Sequence, residues 1–82
     1  MPSSSKGQRV ESTGPLDAAA LGRDVRSRRR EFQLAQQDLA ELAGTSTRFI
    51  GSLEKGKPTV RLDKLLAVLD ALGLELRAQV RQ

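Results

Sequence analysis

Residues 36–54, QQDLAELAGTSTRFIGSLE, decide the fold of this chain, because two short helical patterns lie there with a glycine between them. Ala40 stands four residues before Gly44, Ile50 six after it and Leu53 three further on. One small residue and two branched apolar ones therefore face each other across a turn. Two helices joined at roughly 90–120° by a short turn come nearly into contact, which favours a methyl group at Ala40 and a residue tolerant of positive φ at Gly44. Ile50 and Leu53, at i and i+3, bury the inner face of the second helix and leave Thr47, Arg48, Gly51 and Ser52 outside. This is the spacing of a helix-turn-helix, and an outward face of small polar and basic groups suits a DNA groove.

The flanking residues extend this pair into a cluster of four helices. Residues 1–14 hold Ser, Gly and charge with almost nothing apolar, so they cannot offset the entropy of ordering and are expected to form a flexible arm. Pro15 has the φ favoured at the first position of a helix, and Asp17 puts negative charge near the positive end of the helix dipole. A first helix is therefore expected from near Leu16. It carries Leu21 and Val25 at i and i+4, passes through Arg26, Arg28, Arg29 and Arg30, and ends near Phe32. Leu34 leads into the second helix, residues 36–43, whose inner stripe is read as Leu39, Ala40, Leu42 and Ala43.

Either hydroxyl of Thr45 and Ser46 can accept from the free amides that open a helix, and Ser46 is the better cap. The third helix is expected over residues 47–55, stopping at Gly56, with Pro58 preventing its resumption. A fourth starts near Arg61 or Leu62, buries Leu62, Leu65, Leu66, Leu69 and Leu72, and terminates at Gly73. Residues 15–73 are thus predicted to form one all-α domain of four to five helices around a single apolar core.

After Gly73 the period changes. Leu74, Leu76, Ala78 and Val80 alternate with Glu75, Arg77, Gln79 and Arg81, a period of two and hence a strand with one apolar face. A lone strand leaves its backbone donors and acceptors unpaired, and no second strand pattern is legible elsewhere in the chain. A two-fold-related copy is the simplest neighbour, so residues 74–82 are predicted to pair antiparallel across a homodimer through the Leu74, Leu76, Ala78 and Val80 face. A frayed tail or a fifth helix is the competing reading, since Leu, Glu, Arg, Ala and Gln also suit a helix.

Composition bounds what such a domain can do. Eighty-two residues allow one small domain with a modest core, which a partner subunit would stabilise. The absence of cysteine and histidine removes disulfides, thiolate and imidazole metal ligands and the usual general bases. No paired carboxylates, activated nucleophile or phosphate-cradling glycine loop can be assembled, so neither an enzyme nor a cofactor site is expected. The first residues, MPSSSKGQRV, have no apolar core of a signal peptide, and no stretch is long and apolar enough for a membrane span. A cytoplasmic protein without a membrane association is the expectation. Fourteen Lys and Arg against ten Asp and Glu give a net charge of +4, compatible with a polyanionic partner.

The set Gln36, Leu39, Ala40, Gly44, Ser46, Ile50, Leu53, Glu54, Gly56 and Lys57 resembles the Cro/C1-type (XRE) family of helix-turn-helix DNA-binding proteins. The resemblance covers about residues 21–81. Residues 56–76, GKPTVRLDKLLAVLDALGLEL, with the alternating tail, are similar to the HipB-like antitoxins of bacterial type II toxin-antitoxin systems. That resemblance implies a homodimer joined by its C-terminal strands, a palindromic double-stranded DNA operator, repression of its own operon, and a HipA-like serine/threonine kinase toxin as partner. A stand-alone regulator of the same family is the alternative. The chain departs from the family at Ala35, where a threonine hydroxyl commonly caps the second helix. Its absence costs about 1 kcal/mol if nothing compensates. Gly51 is also a poor helix former, by about 1 kcal/mol relative to alanine, and leaves room for close approach of DNA or of the first helix.

Residue roles follow from the motif's geometry. The second helix of such a motif enters the major groove N-terminus first, so Thr47 and Arg48 are the leading base readers and Ser52, one turn on, the next. Arg48 suits a bidentate contact to guanine, and Thr47 a thymine methyl or a polar base edge. The resemblance makes Gln36 and Lys57 phosphate contacts, and Thr45 and Ser46 are placed to donate to the backbone beside Gln36. Lys55 either contacts phosphate or offsets the helix dipole. Arg28, Arg29 and Arg30 also offset a dipole and reach phosphate only if that helix end points at the duplex. Phe49 reads best as core edge, with dimer and toxin contacts open, and Glu54 as the ion-pair partner of a first-helix arginine.

Overall fold

The structure, a computed structural model, describes residues 8–10 and 17–77. Strand β1 (Gln8–Val10) precedes helices α1 (Ala18–Glu31), α2 (Gln36–Ala43), α3 (Thr47–Glu54) and α4 (Leu62–Ala71), and strand β2 (Leu74–Leu76) closes the order. Each helix starts and stops for an identifiable reason. Asp17, expected inside the first turn, instead caps α1, accepting from the Ala20 amide at 2.7 Å. Ala35 cannot cap α2 with a methyl group. The missing hydroxyl is partly compensated from the other side, because the Asp38 carboxylate accepts from the Ala35 amide at 2.8 Å. Ser46 caps α3 as expected, its Oγ accepting from the Phe49 amide at 3.0 Å. At Gly44 the chain turns through φ 72°, and the Thr45 amide folds back onto the Ala40 carbonyl at 2.9 Å. Gly56, at φ 86°, ends the α3 region in the same manner.

The core is formed by Leu21 and Val25 of α1, Leu39 and Ala40 of α2, Ile50 and Leu53 of α3, and Leu65, Val68, Leu69 and Leu72 of α4 and its end. Leu74 at the start of β2 joins it. Three leucines assigned to the core from sequence lie outside it: Leu42 is 64% exposed, Leu62 62% and Leu66 46%. The reason is angular. Leu62 and Leu66 are four apart and share a face, whereas α4 buries the stripe through Leu65, Val68, Leu69 and Leu72, centred about a quarter of a turn away. Likewise, the stripe of α2 runs through Leu39 and Ala40, with Ala43 packed at its margin and Leu42 turned outward.

One glycine governs how α1 meets α3. A Cβ on Gly22 would overlap the Leu53 carbonyl oxygen and lie 2.9 Å from the Glu54 carbonyl oxygen, so the two helix backbones meet where Gly22 has no side chain. Gly51 does not have that role. A Cβ there meets only the Gln36 Oε1, at an ordinary 3.7 Å.

The expectation that the chain holds no second strand is corrected by β1. It pairs with β2 in parallel, with Gln8 opposite Leu74, Arg9 opposite Glu75 and Val10 opposite Leu76. A parallel pair needs a crossover, and here the crossover is all four helices. Three residues are too few to show a readable alternation, which is why β1 was not legible. The alternating tail does begin a strand at Leu74, and Leu74 and Leu76 are the inward residues of it. Ala78 and Val80, assigned to the same strand, lie outside the described residues.

Candidate nucleic-acid interface

Helix α3 is fixed on one side and free on the other. Ile50 and Leu53 are buried in the core, the Ser46 cap holds the N-terminus, and Thr47 and Arg48 stand exposed in the first turn. Both residues expected to read bases therefore project from an anchored helix end. Ser52 is half-buried one turn on, while Lys55 and Lys57 are exposed beyond the helix.

Arg48, Ser52 and Lys57 open onto one shallow depression of about 310 Å³, bordered also by Ser46, Phe49 and Val60. Two further cations line it, Arg61 and Lys64. Neither was singled out from sequence, although both are basic residues at the start of the fourth helix; only the packing of the domain brings them beside Arg48. Phe49 is half-buried against the core, as the reading of core edge expects, and the Lys64 Nζ lies over its ring at 5.9 Å. The Arg61 guanidinium grips Asp63 with two hydrogen bonds, at 2.6 and 3.1 Å. Those bonds, helped by one from the Lys64 amide, hold the Asp63 carboxyl below the usual carboxylate range.

Behind α3 lies a buried polar web. Arg29 donates from Nε and Nη2 to the two Glu54 carboxylate oxygens at 2.6 and 2.9 Å, and from Nη1 to the Leu34 carbonyl at 2.7 Å. The Gln36 Nε2 adds a third donor to Glu54, at 3.1 Å. The hydrogen bonds to Glu54 raise the pKa of Arg29, against the opposing effect of its burial, so the guanidinium stays charged across the whole working pH range. The web ties α1, the start of α2 and the end of α3 to one carboxylate, which fixes the direction in which α3 points.

Several residues assigned to phosphate are therefore held differently from the simplest reading. Gln36 is half-buried, and part of its donor capacity is committed to Glu54. The Thr45 Oγ1 is enclosed and has no hydrogen-bond partner among the described residues, so it does not face the depression. Ser46 spends its Oγ lone pair on the cap while its hydroxyl stays exposed. Of the arginine run, Arg29 serves the buried web and Arg28 donates to the Leu72 carbonyl at 2.9 Å and stacks over Phe32, 4.6 Å from the ring centroid. Arg28 thereby clasps the end of α1 to the end of α4. Only Arg30 of the three is exposed.

No group of three or more potential metal ligands exists among the described residues, and no described helix is long and apolar enough to cross a membrane. Residues 25–79 match the helix-turn-helix family. The HTH-type transcriptional regulator y4mF of Sinorhizobium fredii is 47% identical over 62 residues, which cover 76% of this chain and 78% of that protein. Among solved structures, the restriction-modification controller protein C.AhdI of Aeromonas hydrophila superposes with a TM-score of 0.65 at 31% identity, over 71% of this chain and 88% of its own. The clp gene regulator ClgR of Corynebacterium glutamicum gives 0.64 at 34% identity, over 76% of this chain and 80% of its own. HipB, in a HipA-HipB-O2-O3 complex, gives 0.74 over 87% of this chain and 100% of its own, at 17% identity, a likeness of fold.

Proposed function

Because the chain belongs to the XRE-type helix-turn-helix family of transcriptional regulators, we propose that it is a homodimeric, sequence-specific repressor that reads a palindromic operator with Thr47, Arg48 and Ser52. The observation that carries this reading is the asymmetry of α3, whose inner residues are locked in the core while Thr47 and Arg48 project from its capped first turn. Lys57, exposed just past α3, supplies a phosphate contact, and Lys55 and the Ser46 hydroxyl are further candidates. Binding is the whole of the activity assigned here, with neither catalysis nor a cofactor.

Two copies are needed because a palindrome presents its half-sites about one helical turn apart, roughly 34–36 Å. β1 pairs with one edge of β2, and among the described residues no strand lies on the other edge, where the antiparallel partner strand would add. A two-stranded sheet of three residues per strand is short for independent stability, which favours its extension across the dimer. Deleting residues 74–82 is expected to halve the mass measured by light scattering; a truncated protein that remains a dimer refutes the strand pairing.

The operator reading is tested by titrating DNA with two variants. Arg48→Ala is expected to relax base discrimination by about 1–3 kcal/mol. Lys57→Ala should weaken all sequences alike and flatten the dependence of affinity on salt. If both bind as the unaltered protein does, α3 is not the reading helix.

The finer reading is an antitoxin that also restrains a HipA-like kinase. Its support is the resemblance of residues 56–76 and the tail to HipB-like proteins, together with a HipB fold likeness that extends over more of the chain than those of the other regulators. Co-purification of a kinase encoded beside this protein favours the antitoxin, and its absence from the neighbouring gene leaves a stand-alone regulator.

A further inference from the structure

The depression beside α3 holds more positive charge than base reading and one phosphate contact require. Arg48, Lys57, Arg61 and Lys64 all line it. Their mutual repulsion is a cost in the free protein that a bound polyanion relieves. Asp63 neutralises Arg61 through a two-bond grip, so that guanidinium is already engaged. Lys64 differs, since no carboxylate lies within ion-pair distance of its Nζ among the described residues. Its ammonium instead lies over the Phe49 ring at 5.9 Å, and Phe49 is itself packed against the core. A cation over an aromatic face keeps its charge and its donors while losing conformational freedom. That is a suitable way to hold a lysine ready for an anion at the rim of a groove.

We propose that Lys64 is a DNA phosphodiester contact, the contribution of α4 to an interface otherwise built from α3 and the segment after it, with Phe49 as the platform that orients it. This rests on the DNA-binding reading above. A single lysine that neutralises one phosphate per protomer contributes about 0.9 to the slope of log affinity against log salt. It carries no base preference, because phosphates are the same at every step.

The test compares the full-length protein with Lys64→Met and Lys64→Arg, each titrated into a fluorescently labelled duplex of mixed sequence over a series of KCl concentrations. Methionine keeps an alkyl stem over the Phe49 ring and removes the charge; arginine keeps the charge. Lys64→Met is expected to reduce the slope by about 0.9 per protomer. Affinity then falls several-fold at low salt and converges with that of the unaltered protein at high salt. Lys64→Arg is expected to retain the slope, and both variants to unfold at the unaltered temperature. A Lys64→Met slope equal to that of the unaltered protein overturns the proposal while leaving the DNA-binding reading intact. If the unaltered protein shows no salt-dependent binding to duplex at all, the functional reading fails and the role of Lys64 fails with it.

Discussion

Glu54→Gln is expected to lower the melting temperature by more than about 10 °C, the largest effect of any single substitution outside the apolar core. The change is nearly isosteric, so no cavity or clash is involved. What it removes is the negative charge that two guanidinium nitrogens of Arg29 and the amide of Gln36 all address. Both members of the pair are largely buried, with side chains 11% and 4% exposed, so water does not replace the lost partner. Breaking a buried pair from one side costs about 3–5 kcal/mol, because the remaining charge stays in a poor solvent. A domain of this size has only about 5–15 kcal/mol in total. Replacing both residues, Arg29→Met with Glu54→Leu, should cost clearly less than Glu54→Gln alone, since no buried charge is then stranded. The Arg29 bond to the Leu34 carbonyl is lost in that double variant, so full recovery is not expected. Thermal unfolding followed by circular dichroism decides the matter; if Glu54→Gln melts within a few degrees of the unaltered protein, the web does not anchor α3.

Two glycine-to-alanine changes are expected to act in opposite directions. In both, alanine is the better helix former by about 1 kcal/mol. At Gly51 that gain is realised, because the new methyl group meets only the Gln36 Oε1 at van der Waals distance. At Gly22 it is overwhelmed. The methyl group would run into the Leu53 and Glu54 carbonyl oxygens, which are backbone atoms that move only if α1 and α3 separate. Overpacking of that kind costs about 1–3 kcal/mol or more. Separation of the helices also disturbs the Arg29–Glu54 pair, which spans the same interface. Gly22→Ala should therefore lower the denaturation midpoint and weaken DNA binding, while Gly51→Ala raises the midpoint. A Gly22→Ala protein as stable as the unaltered one would mean that α1 and α3 are not in backbone contact at this point.

The elements legible in the sequence are those written by local rules. The bounds of α2 and the start of α3 are as read, because Gly44 and Ser46 act on amides and carbonyls within a few residues of themselves. The exposure of Thr47 and Arg48 follows from the placement of Ile50 and Leu53 on the same short helix. Glu54 was expected to pair with an arginine of the first helix and does so with Arg29. The misassigned leucines mark the limit of this reasoning. Leu42, Leu62 and Leu66 belong to apolar patterns several residues wide, and pattern alone does not say which edge of a wide stripe the neighbouring helices cover. The compensation at Ala35, by contrast, is local: Asp38, three residues on, is the acidic half of a capping box, a signal that stands in the sequence even without a hydroxyl at the cap position.

By itself the sequence determined the turn at Gly44, the cap at Ser46 and the two faces of α3, because each depends on sterics and hydrogen bonds between residues close along the chain. Tertiary structure alone decided that Gly22 is where α1 and α3 touch, that Thr45 is enclosed, that β1 pairs with β2, and that Arg61 and Lys64 join Arg48 around one depression. These last features concern distances between residues far apart in the chain. Such distances are set by how all four helices settle around their shared core, and no local periodicity encodes them.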